Sequence, residues 1–548
     1  MDTARLKKFA QYARRALLEQ VSTKLTVVLA EDSAARRESP EAVQALEKAL
    51  VPQQKQTPAE ARAQLIDRVA YTWFNRFCAL RFMDVNRYTR AGVVSPAEGQ
   101  FQPEILADAK MGHVDEDIPE ATRQKVFALL NGTAPSPDPQ GEAYRLLVVA
   151  ACNVWYKAMP FLFERINDYT ELLMPDDLLS GTSILAYTRE AMTPDACANV
   201  EVIGWLYQFY ISEKKDEVFD GLKKNQKITP ENIPAATQLF TPHWIVRYLV
   251  ENSLGRLWML NRPQSRLVER MEYYIQPEQE ETDFLRIASP EDIKICDPAC
   301  GSGHMLTYAF DLLYAMYEEE GADPTSIAEK ILTHNLYGVE IDERAGDLAA
   351  LALVMKARAK NRRFLSKEIK PNICVLENVA FAEGELKRYA EAMGRELFTP
   401  SVLTTLYQFE EADNFGSLIR PAEANVAPLL HTLQEKGAPR DIQLHITHAK
   451  VLLALQQAAY LSQRYHVVIA NPPYMGGKGM NGRLGAWLKD NYPDNKSDLF
   501  AAFIERIITM VFDGGSLGLM TPFTWMFLGS YEKLRHFILN SERFRLTV

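Results

Sequence analysis

A chain of 548 residues, 47% of them hydrophobic, is too long for one ordinary domain and carries enough apolar side chains for about two to four cores. A net charge of −10 argues against a surface that is basic throughout and leaves at most a local basic cleft for nucleic acid. Cys78, Cys152, Cys197, Cys296, Cys300 and Cys374 follow neither a metal-ligand spacing nor a disulfide framework, and no apolar run is long enough to span a bilayer, so the expectation is a cytoplasmic protein with reduced core cysteines, no metal and no membrane partner.

Residues 1–235 read as a helical N-terminal domain. The first stretch is too charged for a signal peptide, and its Leu6, Phe9, Ala13, Leu17 and Val21 recur at helical spacing. Leu65, Val69, Trp73, Phe77 and Leu80 mark a second buried helix face, and 202–210 a third apolar stretch. Residues 131–139, rich in Pro, Gly and Asp, mark a surface loop. Arg62, Arg68, Arg76 and Arg81 could touch phosphates, but a solvated helix face is the simpler explanation of them. No strand-borne acid followed by Glu-x-Lys is present here, the pattern that a fused metal-dependent nuclease needs.

After a polar, proline-bearing linker at 221–234 comes Phe240-Thr241-Pro242. Thr241 is placed as a helix N-cap and Pro242 as the first helical residue, which leaves free N–H groups for a carboxylate. A plain helix cap satisfies the same residues. Next, a short strand at 293–296 runs into Asp297-Pro298-Ala299-Cys300-Gly301-Ser302-Gly303, and a helical pattern follows at 305–320. Strand, glycine turn and helix form the first half of a nucleotide-binding unit. The loop has no phosphate-binding lysine, and an acid heads it, so it suits a cationic ligand: Asp297 can face an ammonium or sulfonium while the glycines let the backbone approach. Cys300 lacks a basic partner in the motif and is not read as a nucleophile. A second strand, 336–340, ends in Glu340, an acid placed to take ribose hydroxyls or to serve as an ordinary loop carboxylate. A third, 373–376, leads to Asn378, a partner for an adenine amine or a plain loop residue. Between them, 355–370 is the densest basic stretch, a phosphate contact or a solvated helix end.

From Asn378 to the next strand the chain runs about ninety residues, more than one crossover helix needs, so a small helical insert is expected at 379–450. The strand Val467-Val468-Ile469-Ala470 then stops at Asn471-Pro472-Pro473-Tyr474. Two prolines stiffen the turn and hold an amide oxygen, a proline carbonyl and an aromatic face at the strand's carboxyl end. Such a corner can accept hydrogen bonds from a planar amino group while stacking on the ring that carries it, as an extruded base would require. A helix at 498–511, a strand at 516–520, a helix at 531–539 and a sixth strand at 544–548 complete the pattern.

In order and spacing, Phe240-Thr-Pro242, Asp297-Pro-Ala-Cys-Gly-Ser-Gly303, Gly338-Val-Glu340, Asn471-Pro-Pro-Tyr474, Ser497-Asp-Leu-Phe500 and Gly515-Ser-Leu-Gly-Leu-Met-Thr-Pro522 resemble the gamma-class N6-adenine DNA methyltransferases over 238–548. The helical N-terminus and the run from Asn471 to Asn481 are most similar to the PglX-type methyltransferases of BREX phage-defence systems. The resemblance implies an α/β fold: a Rossmann-like S-adenosylmethionine-dependent methyltransferase sheet at 236–378 and 451–548, with the helical N-terminal domain and the insert added to it. It implies a cytoplasmic bacterial enzyme acting on double-stranded DNA, with other BREX proteins as partners. S-adenosylmethionine would lie against Phe240, Thr241, Pro242 and the loop Asp297, Pro298, Ala299, Cys300, Gly301, Ser302 and Gly303, with Glu340 on its ribose and Asn378 on its adenine. The catalytic set would be Asn471, Pro472, Pro473 and Tyr474, without metal or covalent intermediate. The Glu377-Asn378 pair departs from the Asp of the family's third motif. A type II fused restriction-modification methyltransferase, a protein glutamine methyltransferase and a non-catalytic cofactor-binding DNA or phage sensor stand as alternatives. Because the resemblance also implies a seventh strand and a target-recognition domain after these motifs, the chain is expected to be part of a longer protein.

Overall fold

The computed structural model describes residues 2–52, 56–163 and 169–539, so the sixth strand expected at 544–548 lies outside the described residues. The chain forms two compact units, Met1–Glu213 with Arg362–Lys370, and Lys214–Asn361 with Pro371–Val548. This junction falls before residue 235, where the sequence pattern places it. Among the described residues no helix is long and apolar enough to cross a membrane, and no cluster of His, Cys, Asp and Glu could hold a metal.

The first unit is built of helices. Asp2 opens Thr3–Leu29 by accepting from the Ala4 and Arg5 amides, and the helix buries Leu6, Phe9, Ala13, Leu17 and Val21. Thr57 and Glu60 form a reciprocal capping box at the start of Pro58–Val85, whose buried stripe includes Leu65, Val69, Trp73, Phe77 and Leu80. Neither sequence reading of Arg76 and Arg81 holds. Arg76 is fully buried, donates from Nε to the Leu162 carbonyl at 3.2 Å and lies over the Trp73 ring. Arg81 donates to the Met192 carbonyl at 3.1 Å and to Ser95 Oγ at 2.6 Å. Both are internal fasteners: Arg76 combines one hydrogen bond with its contact over the Trp73 ring, and Arg81 reaches two acceptors.

The second unit is organised around a parallel sheet of order β3-β2-β1-β4-β5, with β1 Ile295–Asp297, β2 Leu336–Glu340, β3 Asn372–Val375, β4 Tyr465–Ala470 and β5 Val511–Leu519. Ile295 pairs with Leu336 on one side and Val467 on the other. Val467, Val468, Ile469 and Ala470 are wholly buried, as a strand covered on both faces requires. The order reverses between β1 and β4, and in open α/β sheets the ligand crevice lies at that reversal, outside the carboxyl ends of the strands. β5 starts earlier than the expected 516: Val511 pairs with Tyr465, and the register shifts before Val467 pairs with Ser516. Gly514, at φ 77°, turns the chain through that bulge.

Helices His304–Glu319 and Glu343–Lys360 follow β1 and β2. The expected insert does contain helices, Glu385–Met393, Pro400–Tyr407 and Ala427–Lys436, and Ile442–Ser462 returns the chain to β4. Leu386, Tyr389, Val402, Leu406 and Leu433 share one apolar cluster with Val451, Leu455, Cys296, Val339 and Val468. The insert is therefore continuous with the core on one face of the sheet.

Candidate active site

β1 delivers Asp297 to the carboxyl edge, buried, with Oδ1 accepting from the Ala299 amide at 3.1 Å. The loop then folds back on itself through left-handed glycines, Gly301 at φ 53° and Gly303 at φ 79°. A Cβ on Gly303 would lie 3.0 Å from both Cα and Cβ of Ala349, so loop and Glu343–Lys360 helix meet only where no side chain intervenes. The Cys300 amide donates to the Val339 carbonyl at 3.0 Å, tying the loop to β2, and Ser417 Oγ donates to the Pro298 carbonyl at 2.5 Å. Ser302 is buried. Burial holds the Cys300 thiol well above its usual range, which leaves it inert at neutral pH.

Glu340 ends β2 beside this loop. Its Oε2 accepts from the Gly301 amide at 2.7 Å, and its Oε1 from the Ile341 and Asp342 amides at 2.9 and 3.0 Å. Burial pushes Asp297 up to about 8, with the Glu340 charge adding to it, and pushes Glu340 up to about 7 against those backbone donors. Among the described residues, the hydrogen bonds that these two acids accept all come from backbone amides. Two buried carboxyls held by backbone amides make a site that a cationic ligand would relieve. Asn378, after β3, turns instead to the insert, where its Oδ1 accepts from the Asp413 amide at 3.0 Å.

The Phe240-Thr241-Pro242 segment is not the cap that its sequence suggests. Pro242 sits extended at ψ 139°, the helix starts at His243, and no side chain caps it. The buried Thr241 hydroxyl is directed elsewhere, accepting from Asn471 Nδ2 at 3.1 Å. Phe240 packs on the ring of His304, 4.2 Å between centroids. Burial pushes this imidazole down to about 3, so it stays neutral, and its Nε2 has no hydrogen-bond partner. His304 was not singled out in sequence; its place directly after Gly303 was the available signal.

β4 delivers the corner. Asn471 Nδ2 also donates to the Leu239 carbonyl at 3.3 Å. A carbonyl can only accept, so the amide nitrogen must face that segment and the oxygen must face Tyr474. The Tyr474 hydroxyl lies 2.6 Å from Asn471 Oδ1 and 2.9 Å from the Met520 carbonyl, and its single hydrogen serves one acceptor at a time. Burial pushes the phenol up to about 12, so it keeps that hydrogen. The Tyr474 ring stands edge-on to Phe500, 6.2 Å between centroids. Pro472 is buried and Pro473 half-buried, and none of the described residues donates to the Pro472 carbonyl. Beyond the corner, Asp498 Oδ1 accepts from the Met475 amide at 3.0 Å, the Gly477 amide donates to the Ser497 carbonyl at 3.1 Å, and the Ile228 amide donates to the Gly479 carbonyl at 3.0 Å. Asp498 stood in a sequence motif without a role; here it pins the glycine-rich loop to the Leu499–Ile508 helix.

The basic stretch is partly consumed by local contacts: Lys356 pairs with Asp311 at 2.5 Å, and Lys360 lies over the Tyr314 ring.

Residues 334–548 match the family model of the Eco57I restriction-modification methylase, and residues 281–382 that of the MmeI DNA-methyltransferase domain. The chain is 38% identical over 597 aligned positions to the adenine-specific methyltransferase BrxX of Escherichia coli O9:H4 (strain HS), covering 99% of this chain and 48% of that protein. It is 32% identical to the adenine-specific methyltransferase PglX of Lacticaseibacillus casei (strain Zhang), covering 98% and 48%. The chain thus spans about half the length of the curated relatives it matches. Among solved structures, the DrdV–DNA complex aligns with 97% of this chain and 37% of its own at 12% identity and a TM-score of 0.40.

Proposed function

The chain is a relative of the adenine-specific methyltransferases BrxX and PglX, and from that premise we propose that the protein transfers a methyl group from S-adenosylmethionine to N6 of an adenine extruded from double-stranded DNA, as the methyltransferase of a cytoplasmic BREX phage-defence system acting with other proteins of that system. The observation that carries this reading is the corner itself. One free carbonyl, Pro472, and one amide oxygen, Asn471 Oδ1, stand at the carboxyl edge of β4, beside the acid-headed glycine loop of β1.

The amine of adenine is conjugated with its ring and is a poor nucleophile. In this reading Asn471 Oδ1 and the Pro472 carbonyl accept its two hydrogens and favour a more tetrahedral nitrogen, while the Tyr474 ring stacks on the base. Asp297 suits the positive charge at the amino-acid end of S-adenosylmethionine and Glu340 its ribose hydroxyls, with Phe240, Thr241 and Pro242 close by; when bound, that cofactor supplies the electrophilic methyl group. The chain's own contribution is mostly positioning.

Asn471→Ala tests this. Methyl transfer should fall below detection while cofactor affinity stays within about twofold, because the substitution removes an acceptor for the base and leaves the β1 loop untouched. Turnover at the wild-type rate would refute the assigned role. A protein glutamine methyltransferase would use the same corner on an amide; offering duplex DNA and a release factor side by side as methyl acceptors separates the two.

A further inference from the structure

We propose that Thr241 is a positioning residue for Asn471, holding the amide so that its oxygen faces the target amine. The inference rests on the methyltransferase reading above and assigns to this threonine a task different from cofactor contact.

The argument starts from what an asparagine amide needs. Its nitrogen carries two hydrogens and its oxygen accepts, and the two ends of the group are nearly the same size. Only its hydrogen-bond partners decide which end points where. In this corner both partners of Nδ2 come from one segment: the Leu239 carbonyl at 3.3 Å and Thr241 Oγ1 at 3.1 Å. Two acceptors on the nitrogen side fix the plane of the amide as well as its sense, whereas one acceptor alone leaves the plane free to turn about the bond it makes. The threonine is 5% exposed and caps no helix, although the sequence invites it to. Its hydroxyl has been withdrawn from the helix start and given to the corner. On the opposite side, the Tyr474 hydroxyl at 2.6 Å is the only other group holding the amide among the described residues, and it too competes for the oxygen that the adenine amine must reach. When a base enters and takes that oxygen, the nitrogen-side contacts remain to hold the amide in place.

The experiment compares Thr241→Val and Thr241→Ser with wild type in the whole protein. It measures the single-turnover methyl-transfer rate at saturating DNA and cofactor, and cofactor affinity by calorimetry. Val keeps the shape and removes the acceptor; Ser keeps the oxygen. The expected result is a rate about tenfold lower for Val, cofactor affinity within about twofold of wild type, and a rate restored by Ser, since one net hydrogen bond corresponds to roughly that factor. A Val variant that binds cofactor weakly but reaches the wild-type rate at saturation would overturn the proposal and return Thr241 to the cofactor site. A Val variant unchanged in both measurements would overturn it as well, leaving the Leu239 carbonyl sufficient. Wild-type protein that methylates no DNA would overturn both this proposal and the reading on which it rests, so the two failures are distinguishable.

Discussion

Neutralising Asp297 should make the ligand-free protein more stable at neutral pH while weakening its hold on the cofactor. In the folded chain burial pushes this carboxyl up to about 8, whereas in the unfolded chain it ionises near 3.8. Between those values the folded state keeps a proton that the unfolded state has released, so folding stability falls as pH rises. The slope is about 1.4 kcal/mol per pH unit for one proton, or roughly 4 kcal/mol between pH 4 and pH 7. Glu340, pushed up to about 7, acts in the same direction. Asp297→Asn removes one of these titrations. Urea denaturation of both proteins without cofactor, at pH 5, 6, 7 and 8, should show a stability gap in favour of the variant that widens with each step. A bound cation reverses the preference at Asp297: it favours the ionised carboxylate, so binding releases that proton and cofactor affinity should rise by up to about tenfold per pH unit between pH 5 and 8 in wild type. Calorimetry in buffers of different ionisation enthalpy would count the released protons. A stability gap that stays flat from pH 5 to 8, together with a pH-independent affinity, would refute the reasoning.

Two further outcomes follow from the geometry. Gly303→Ala forces a left-handed residue to carry a Cβ 3.0 Å from Ala349, and should cost about 2–3 kcal/mol in denaturant melts; a loss under 0.5 kcal/mol would show that the loop and helix move apart freely. Tyr474→Phe removes the hydrogen that Asn471 and Met520 share but keeps the ring, so it should cost about 1 kcal/mol of stability and little base binding, whereas Tyr474→Ala should lose roughly 1–3 kcal/mol of stacking. A 2-aminopurine fluorescence assay of base extrusion separates the two variants, and equal responses would refute the stacking role.

The sheet was legible in the sequence because its physics is local. Val467-Val468-Ile469-Ala470 can only be a covered strand, two prolines after Asn471 can only end it, and the glycines at 301 and 303 sit where left-handed backbone is required. An acid at the end of β1 and another at the end of β2 were likewise visible from spacing alone. What no window of sequence could decide was where a side chain's hydrogen bonds go once several partners compete. Thr241 has the composition of a helix cap and is spent on Asn471, 230 residues away in the chain. Arg76 and Arg81 have the composition of a surface and are spent on buried loop carbonyls. Asn378 faces the insert because the Asp413 amide lies within its reach. The insert itself shares the core of the sheet, because its apolar residues pack in one cluster with Val339 and Val468. Strands and turns are set by neighbours along the chain; the partners of a buried polar group are set by which acceptors folding brings to it, and only the tertiary structure holds that information.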